Sequence, residues 1–422
     1  MTGSLVASTS QFRIVRQCFL LVLVLLCSIS AVAKCDDDPH LGVTPRRSQM
    51  LPQDQSTSSH PPDKATSESQ VAILSAKAVR LLEDGNIEEA IVVQRQLLSV
   101  LGTLAGELHW RTKSEKTLLT EMEQVSSLAK QPRKTYLVGY QRLIEGGQKM
   151  ALEDYGNAEE LLDRALDNFT TVLGNNFVSV ATTLEKLGVT SLMRGNPLKA
   201  KKYFARAAAV WKTIVGEDHP AYANTLTLAG AACLEARDFG QAEIFLREAL
   251  HWQRRLFGTR DLRYAESLGR LSRVMIETKK LPEAEAMCLQ AISIAEGAQR
   301  QDSPLMASYL FNLADLDIAY EEYGNADTNL RRSLLLYERG LPPWSPIIAR
   351  VLDRHAWLLR KLNRCDEAKA MEIRAEGIRA QGVRESSGDR ESRESSGEFR
   401  EFRRVPGTQE SSGAGEFRGH NT

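Results

Sequence analysis

The sequence predicts an all-α fold, a solenoid of antiparallel helix hairpins, and two observations carry this prediction. The first is a pair of short amphipathic segments within residues 216–250, where apolar residues recur at spacings of three and four on either side of a turn at residues 237–240. The second is that this unit repeats along the chain. Because one hairpin cannot bury its own apolar face, neighbouring copies are expected to stack against each other.

The repeat has a period of 42 residues and is clearest in the second half of the chain. Leucine occupies one position in five successive copies: Leu184, Leu226, Leu268, Leu310 and Leu352. Alanine occupies another position in the same five copies: Ala200, Ala242, Ala284, Ala326 and Ala368. Since helices cross closely only where side chains are small, the alanine positions are expected at the helix crossings.

Weaker copies extend the same frame towards the amino terminus. Four copies carry a glycine 16 residues after the alanine near the turn, where a helix-ending glycine belongs: Gly106, Gly174, Gly216 and Gly258. The frame predicts repeats at about residues 70–107, 136–177, 178–220, 221–262, 263–304, 305–346 and 347–381. Residues 110–131 depart from it and predict one long extra helix ended by Pro132, which either caps the array or replaces a hairpin.

The small and large positions of each hairpin resemble the tetratricopeptide repeat (TPR). The period of 42 and the junction at residues 216–220 (GEDHP) are similar to the kinesin-light-chain type of that repeat, and residues 106–110 (GELHW) look like a variant junction. The resemblance covers roughly residues 70–381. It implies a right-handed superhelix whose first helices line a concave, protein-binding groove, and it specifies the fold far better than the function.

By analogy with that family, ten residues near the position of Asn224 are expected to face the groove. They are Asn224, Thr227, Glu266, Arg273, Phe311, Asp315, Arg350, Asp353, Trp357 and Arg360. Three of them, Arg350, Trp357 and Arg360, form the best cluster, since spacings of seven and three place them on one helical face. Tryptophan with arginine is typical of interface anchors, although Trp357 could equally cap the apolar end of the stack.

No motif for a catalytic, cofactor-binding or metal site occurs in the sequence, which indicates a non-catalytic scaffold without a cofactor. The 54 basic and 54 acidic side chains balance, so we expect no nucleic acid and no strongly charged substrate. The groove that the resemblance implies would bind a protein or peptide partner. The alternative is a cryptic enzyme or enzyme subunit that uses groove carboxylates, with Glu266 and Asp315 as the pair to inspect. The sequence leaves the oligomeric state open.

Residues 1–33 have the anatomy of an export signal. Arg13 and Arg16 precede an uncharged apolar run at residues 18–33, which ends in small residues suited to cleavage. Export predicts an extracytoplasmic protein, secreted or periplasmic. If the segment is retained instead, residues 18–33 would anchor the chain to a membrane, for example as an assembly factor. If the segment is not a signal, the protein would be cytoplasmic. The kinesin-light-chain resemblance would then suggest a motor adaptor, but the export signal argues against it.

Low-complexity sequence flanks the array on both sides. Residues 34–69 are rich in Pro, Ser, Thr and Asp, and residues 382–422 repeat Glu-Ser-Ser-Gly and Gly-Glu-Phe-Arg units. These compositions predict a disordered linker and a disordered tail. The linker is either a spacer or a leader without a role of its own. The Phe-Arg units of the tail are either part of a disordered segment or short contacts for a partner or for the groove.

Overall fold

The computed structural model describes residues 64–386, and every regular element within that range is an α-helix. The helices are α1 Lys64–Glu83, α2 Ile87–Ala105, α3 Trp110–Ser127, α4 Lys130–Ala151, α5 Tyr155–Leu173, α6 Val178–Met193, α7 Pro197–Ile214, α8 Pro220–Glu235, α9 Phe239–Phe257, α10 Leu262–Glu277, α11 Leu281–Gly297, α12 Pro304–Ala319, α13 Tyr323–Gly340, α14 Pro346–Lys361 and α15 Cys365–Ser386. Apart from α3, they pack in consecutive pairs, beginning with α1 and α2 and ending with α14 and α15. The predicted all-α solenoid of hairpins is confirmed.

Each hairpin turns at one residue in the left-handed backbone region. From α4 onward these residues are 42 apart, with φ between 58° and 71°: Glu153, Gly195, Arg237, Lys279, Glu321 and Asn363. In the turn between α8 and α9, the following residue, Asp238, donates its N–H to the Cys233 carbonyl at 2.8 Å, and its side chain accepts from the Gln241 N–H at the start of α9. One residue pair thus ends one helix and caps the next.

The two helices of a hairpin touch where the first helix carries glycine. A Cβ added at Gly230 in α8 would lie 2.5 Å from Leu246 in α9. One period earlier, the same addition at Gly188 would lie 2.6 Å from Phe204. The five alanines of the second-helix series are completely buried, in agreement with the small residues expected at the crossings.

Some helix boundaries differ from those expected. Helix α1 begins at Lys64, inside the predicted linker, and α15 continues to Ser386, beyond the predicted end of the array. The predicted extra helix is interrupted at Leu128 and Ala129, and Pro132 lies in the first turn of α4 instead of ending α3. Proline suits that place because the first N–H groups of a helix have no partner within it.

Helix α3 lies outside the hairpin series, between α2 and α4, so it neither caps an end of the array nor replaces a hairpin. The predicted signal at residues 1–33, most of the predicted linker and the tail after Ser386 lie outside the described residues. No helix between residues 64 and 386 combines the length and the apolar character needed to cross a membrane.

Candidate protein-binding groove

Side chains from the first helices of three successive hairpins meet in a cleft at the carboxyl-terminal end of the array. Helix α10 contributes Arg273, α12 contributes Phe311 and Asp315, and α14 contributes Arg350, Asp353, Arg354 and Trp357. The volume of this cleft is roughly 420 Å³. We call it the C-terminal cleft. Six of the ten groove residues expected from the sequence line it.

Asp315 holds the floor of the C-terminal cleft together. Its side chain is 3% exposed, and its two carboxylate oxygens accept from Arg273 of α10 and from Arg354 of α14, the latter at 2.5 Å. Arg273 also donates to Glu277 on its own helix at 2.7 Å. One buried carboxylate therefore links the first helices of three hairpins, and both guanidinium groups are fixed in orientation.

Trp357 is the aromatic side chain that the C-terminal cleft presents to solvent. It is 40% exposed, and the Arg354 guanidinium lies 4.9 Å from its ring centre. The Lys361 ammonium lies 5.6 Å from the same ring. Below it, Arg273 lies 5.5 Å from the ring of the buried Phe311. Cations on both sides therefore hold an exposed tryptophan, a residue type that is common among interface anchors.

The rim of the C-terminal cleft carries charges of both signs. Arg350 lies 3.4 Å from Glu235 of α8, and Asp353 pairs with Arg379 of α15. These four side chains are about half exposed, so their pairs contribute little to the stability of the fold. They are available to exchange partners when another charged chain approaches.

The other expected groove residues lie elsewhere or have different partners. Thr227 is buried between hairpins, with its hydroxyl 2.8 Å from that of Ser267 on the next first helix, so it holds the stack together and does not face the groove. Asn224 and Glu266 are half-buried and do not line the C-terminal cleft, and Glu266 pairs with Arg270 on its own helix at 2.7 Å.

Arg360, the third member of the predicted cluster, lies apart from Arg350 and Trp357. It donates to both oxygens of Glu372 in α15, at 2.8 and 2.7 Å, and does not line the C-terminal cleft. The residue that joins Arg350 and Trp357 there is Arg354, which the sequence analysis missed. Its signal was the spacing itself, since positions four after Arg350 and three before Trp357 share one helical face.

The carboxylates considered for catalysis are engaged separately. Glu266 accepts from Arg270, while Asp315 accepts from Arg273 and Arg354. Among residues 64–386, no three His, Cys, Asp or Glu side chains cluster in a way that could hold a metal ion. The C-terminal cleft is lined by ion pairs and an aromatic surface.

Part of the chain matches a known repeat family. Residues 179–251, which span α6 to α9 except for their outermost ends, match the family model of the tetratricopeptide repeat, so the repeat expected from the sequence is confirmed over these residues. No curated protein sequence matches the chain.

Several solved structures are similar at low identity. The structure of BtubC (BKLC) from P. vanneervenii is 15% identical, with a TM-score of 0.39, covering 60% of this chain and 92% of that one. A Rap protein complexed with competence and sporulation factor is 13% identical, with a TM-score of 0.49 and coverages of 76% and 78%. NprR in complex with its cognate peptide NprX is 15% identical, with a TM-score of 0.48 and coverages of 66% and 80%.

Proposed function

We propose that this tetratricopeptide-repeat chain is an exported, non-catalytic scaffold that binds a segment of a partner protein in the C-terminal cleft. The observation that carries the proposal is the convergence of Trp357, Arg354 and Asp315 from two first helices. Stacked hairpins present such faces as extended binding surfaces. Here the surface has a fixed aromatic centre and a charged rim, the arrangement in which interface anchors are surrounded by polar contacts.

The chemistry of the C-terminal cleft indicates the kind of segment it takes. Trp357 offers contact to an apolar or aromatic side chain, and Arg350 and Asp353 at the rim offer one charge of each sign. A peptide with an apolar residue between an acidic and a basic one would fit both. Such charge matching fixes the direction of the peptide and speeds its association more than it adds affinity.

Selection from a displayed peptide library against the full chain, followed by calorimetry on the selected peptides, tests this proposal. Trp357→Ala should weaken binding by at least about 2 kcal/mol, or roughly thirty-fold, because it removes the central anchor. The control is Tyr320→Ala, since Tyr320 is 41% exposed, nearly the same fraction as Trp357, and lies outside the cleft. Equal losses in both variants, or none in either, would reject the C-terminal cleft as the binding site.

Export has a separate test, because it rests on residues 1–33 alone. A full-length chain expressed with a carboxyl-terminal tag in a secreting host should be recovered outside the cytoplasm with Lys34 as its first residue, as shown by intact mass. A chain that keeps residues 1–33 and partitions with membranes would favour the anchored alternative. That result would leave the peptide-binding proposal unaffected.

A further inference from the structure

A second cavity lies at the other end of the same array, beneath α3. Its volume is roughly 130 Å³, and it is bounded by α3 on one side and by α4 and α6 on the other. Most of its wall is apolar, with Leu118 from α3, Leu143 and Ile144 from α4, and Val178 and Trp211 at its end. We call it the α3 pocket. Nothing in the proposed function uses it.

The repeat register shows that the α3 pocket and the C-terminal cleft occupy the same face of the solenoid. Four of the five α4 residues that line the α3 pocket are Tyr140, Leu143, Ile144 and Gly147. Five periods later, at the same positions of α14, stand the residues that line the cleft, Arg350, Asp353, Arg354 and Trp357. The groove is therefore charged and open at one end, and apolar and covered by α3 at the other.

Helix α3 is held over α4 and α6 by hydrogen bonds at both ends of the α3 pocket. At one end, the Glu121 carboxylate accepts from the Tyr136 hydroxyl at 3.0 Å and from the Ser179 N–H at 3.3 Å. At the other end, the Ser114 hydroxyl lies 2.8 Å from His219 Nε2. The α3 pocket is thus preformed, which spares a ligand the cost of assembling it.

The polar groups of the α3 pocket favour a neutral ligand. Glu115 and Glu121 line one side and Lys186 the other, all of them buried, so neither sign of charge dominates the lining, and a charged ligand would lose its hydration in a low-dielectric space. Burial also raises the pKa of both glutamates. Within the described part of the chain, the buried Ser179 hydroxyl lies beside the Glu121 carboxylate but makes no hydrogen bond of normal geometry, so a ligand group can bond it in competition with that carboxylate.

We infer that the α3 pocket is a small-molecule site for a compact neutral molecule, an apolar ring with one hydrogen-bonding group. The size agrees, because an apolar cavity of about 150 Å³ holds a molecule as large as benzene. The ring would pack on Leu118, Leu143 and Trp211, and its polar group would bond the Ser179 hydroxyl. Phenol is the simplest probe with both features.

Calorimetry with the full chain and four ring compounds tests this inference. Phenol should bind saturably at one site. Toluene, which lacks the polar group, should bind about 2- to 10-fold more weakly, as expected for the loss of one neutral hydrogen bond. Benzylamine and benzoate should bind at least about ten-fold more weakly than phenol, because each brings a charge into a low-dielectric space.

Two variants locate the bound phenol. Gly147→Leu should abolish binding, because a Cβ there would meet only Lys186 Nζ, at 3.6 Å, and the rest of the side chain would fill the pocket. Gly102→Leu is the matched control, a glycine inside α2 whose Cβ would meet nothing within 4 Å. Ser179→Ala should weaken phenol by about 2- to 10-fold and leave toluene unchanged.

The inference fails if phenol shows no saturable binding, or if it binds equally well to the Gly147→Leu and Gly102→Leu proteins. It also fails if benzylamine or benzoate binds as tightly as phenol. The Trp357→Ala variant should bind phenol like the unaltered chain, since Trp357 lies at the opposite end of the groove. Loss of phenol binding in that variant would place the ligand in the C-terminal cleft and overturn the inference.

Discussion

The Ser114 hydroxyl of α3 lies 2.8 Å from His219 Nε2, the residue that caps the start of α8. The other ring nitrogen, Nδ1, accepts from the Ala221 N–H at 3.1 Å, so the proton of the neutral ring lies on Nε2. Nε2 also lies 3.2 Å from the Trp110 carbonyl, to which it can donate. One neutral histidine therefore caps a helix of the repeat array and attaches the inserted helix to it.

This arrangement predicts an acid-sensitive contribution to stability. Burial lowers the pKa of His219 to about 4, below its ordinary value of 6.5. The unfolded chain therefore takes up a proton at this residue at a higher pH than the folded chain does. The contribution is fully present above about pH 6.5, falls as the pH drops towards 4, and amounts to at most about 3 kcal/mol.

Urea unfolding of the unaltered chain and of His219→Asn, at intervals from pH 7.5 to 4, measures this contribution. Asparagine can still cap α8 but does not titrate, so the stability difference between the two proteins should shrink as the pH falls. The comparison must be differential, because burial raises the pKa of Glu185 to about 7 and opposes the His219 effect. A difference that is constant with pH would show that His219 is not held neutral.

The glycine crossings predict a sharp contrast between two equivalent changes in one hairpin. Gly230→Ala should destabilise the protein by about 1–3 kcal/mol, because the new methyl group would lie 2.5 Å from Leu246 and force the helices apart. Gly240→Ala should be neutral or stabilising by up to about 1 kcal/mol, since its Cβ meets nothing within 4 Å. Thermal melts of both variants decide; similar midpoints would contradict the close crossing.

The register of the array was predictable from sequence because packing repeats with it. Leu226 and Ala242 recur at a fixed step, and a position that is buried in one hairpin is buried in the next. The left-handed turn residues were harder to foresee, since most are not glycine. Their conformation follows from their place in the repeat, as Arg237 shows, and not from their own preference.

The position of α3 could not be predicted in the same way. Its contacts join residues far apart in sequence, such as Ser114 with His219 and Glu121 with Ser179. Arg360 was expected in the groove but does not line the cleft, and the reason is related. The helical face was chosen from α14 alone, whereas Glu372 of α15 decides where the Arg360 guanidinium goes.

Substitutions of two arginines in α14 distinguish the C-terminal cleft found in the structure from the cluster expected from the sequence. Arg350→Ala should weaken binding of a selected peptide with an acidic residue, by about 0.5–1 kcal/mol and less at high salt, because the charge is exposed at the rim of the cleft. Arg360→Ala should leave the affinity unchanged. Titrations at two salt concentrations test both, and a larger loss with Arg360→Ala would restore the original cluster.

The Asp315 carboxylate serves both the fold and the C-terminal cleft. Asp315→Asn keeps the shape but leaves Arg273 and Arg354 without their shared counter-charge. Breaking a buried pair of this kind costs about 3–5 kcal/mol. Both guanidinium groups reach solvent and can be rehydrated, so we expect the lower end of that range or less, about 2 kcal/mol.

The loss should be local to α10, α12 and α14, where hydrogen exchange should speed up, while α6 to α8 keep their protection. Peptide affinity should fall as well, because Arg354 would no longer be held 4.9 Å from the Trp357 ring. Glu266→Gln is the control, since that half-exposed pair with Arg270 is worth no more than about 0.5 kcal/mol. If Asp315→Asn behaved like the control, the three helices would be held by apolar packing alone, and the buried carboxylate would not organise the cleft.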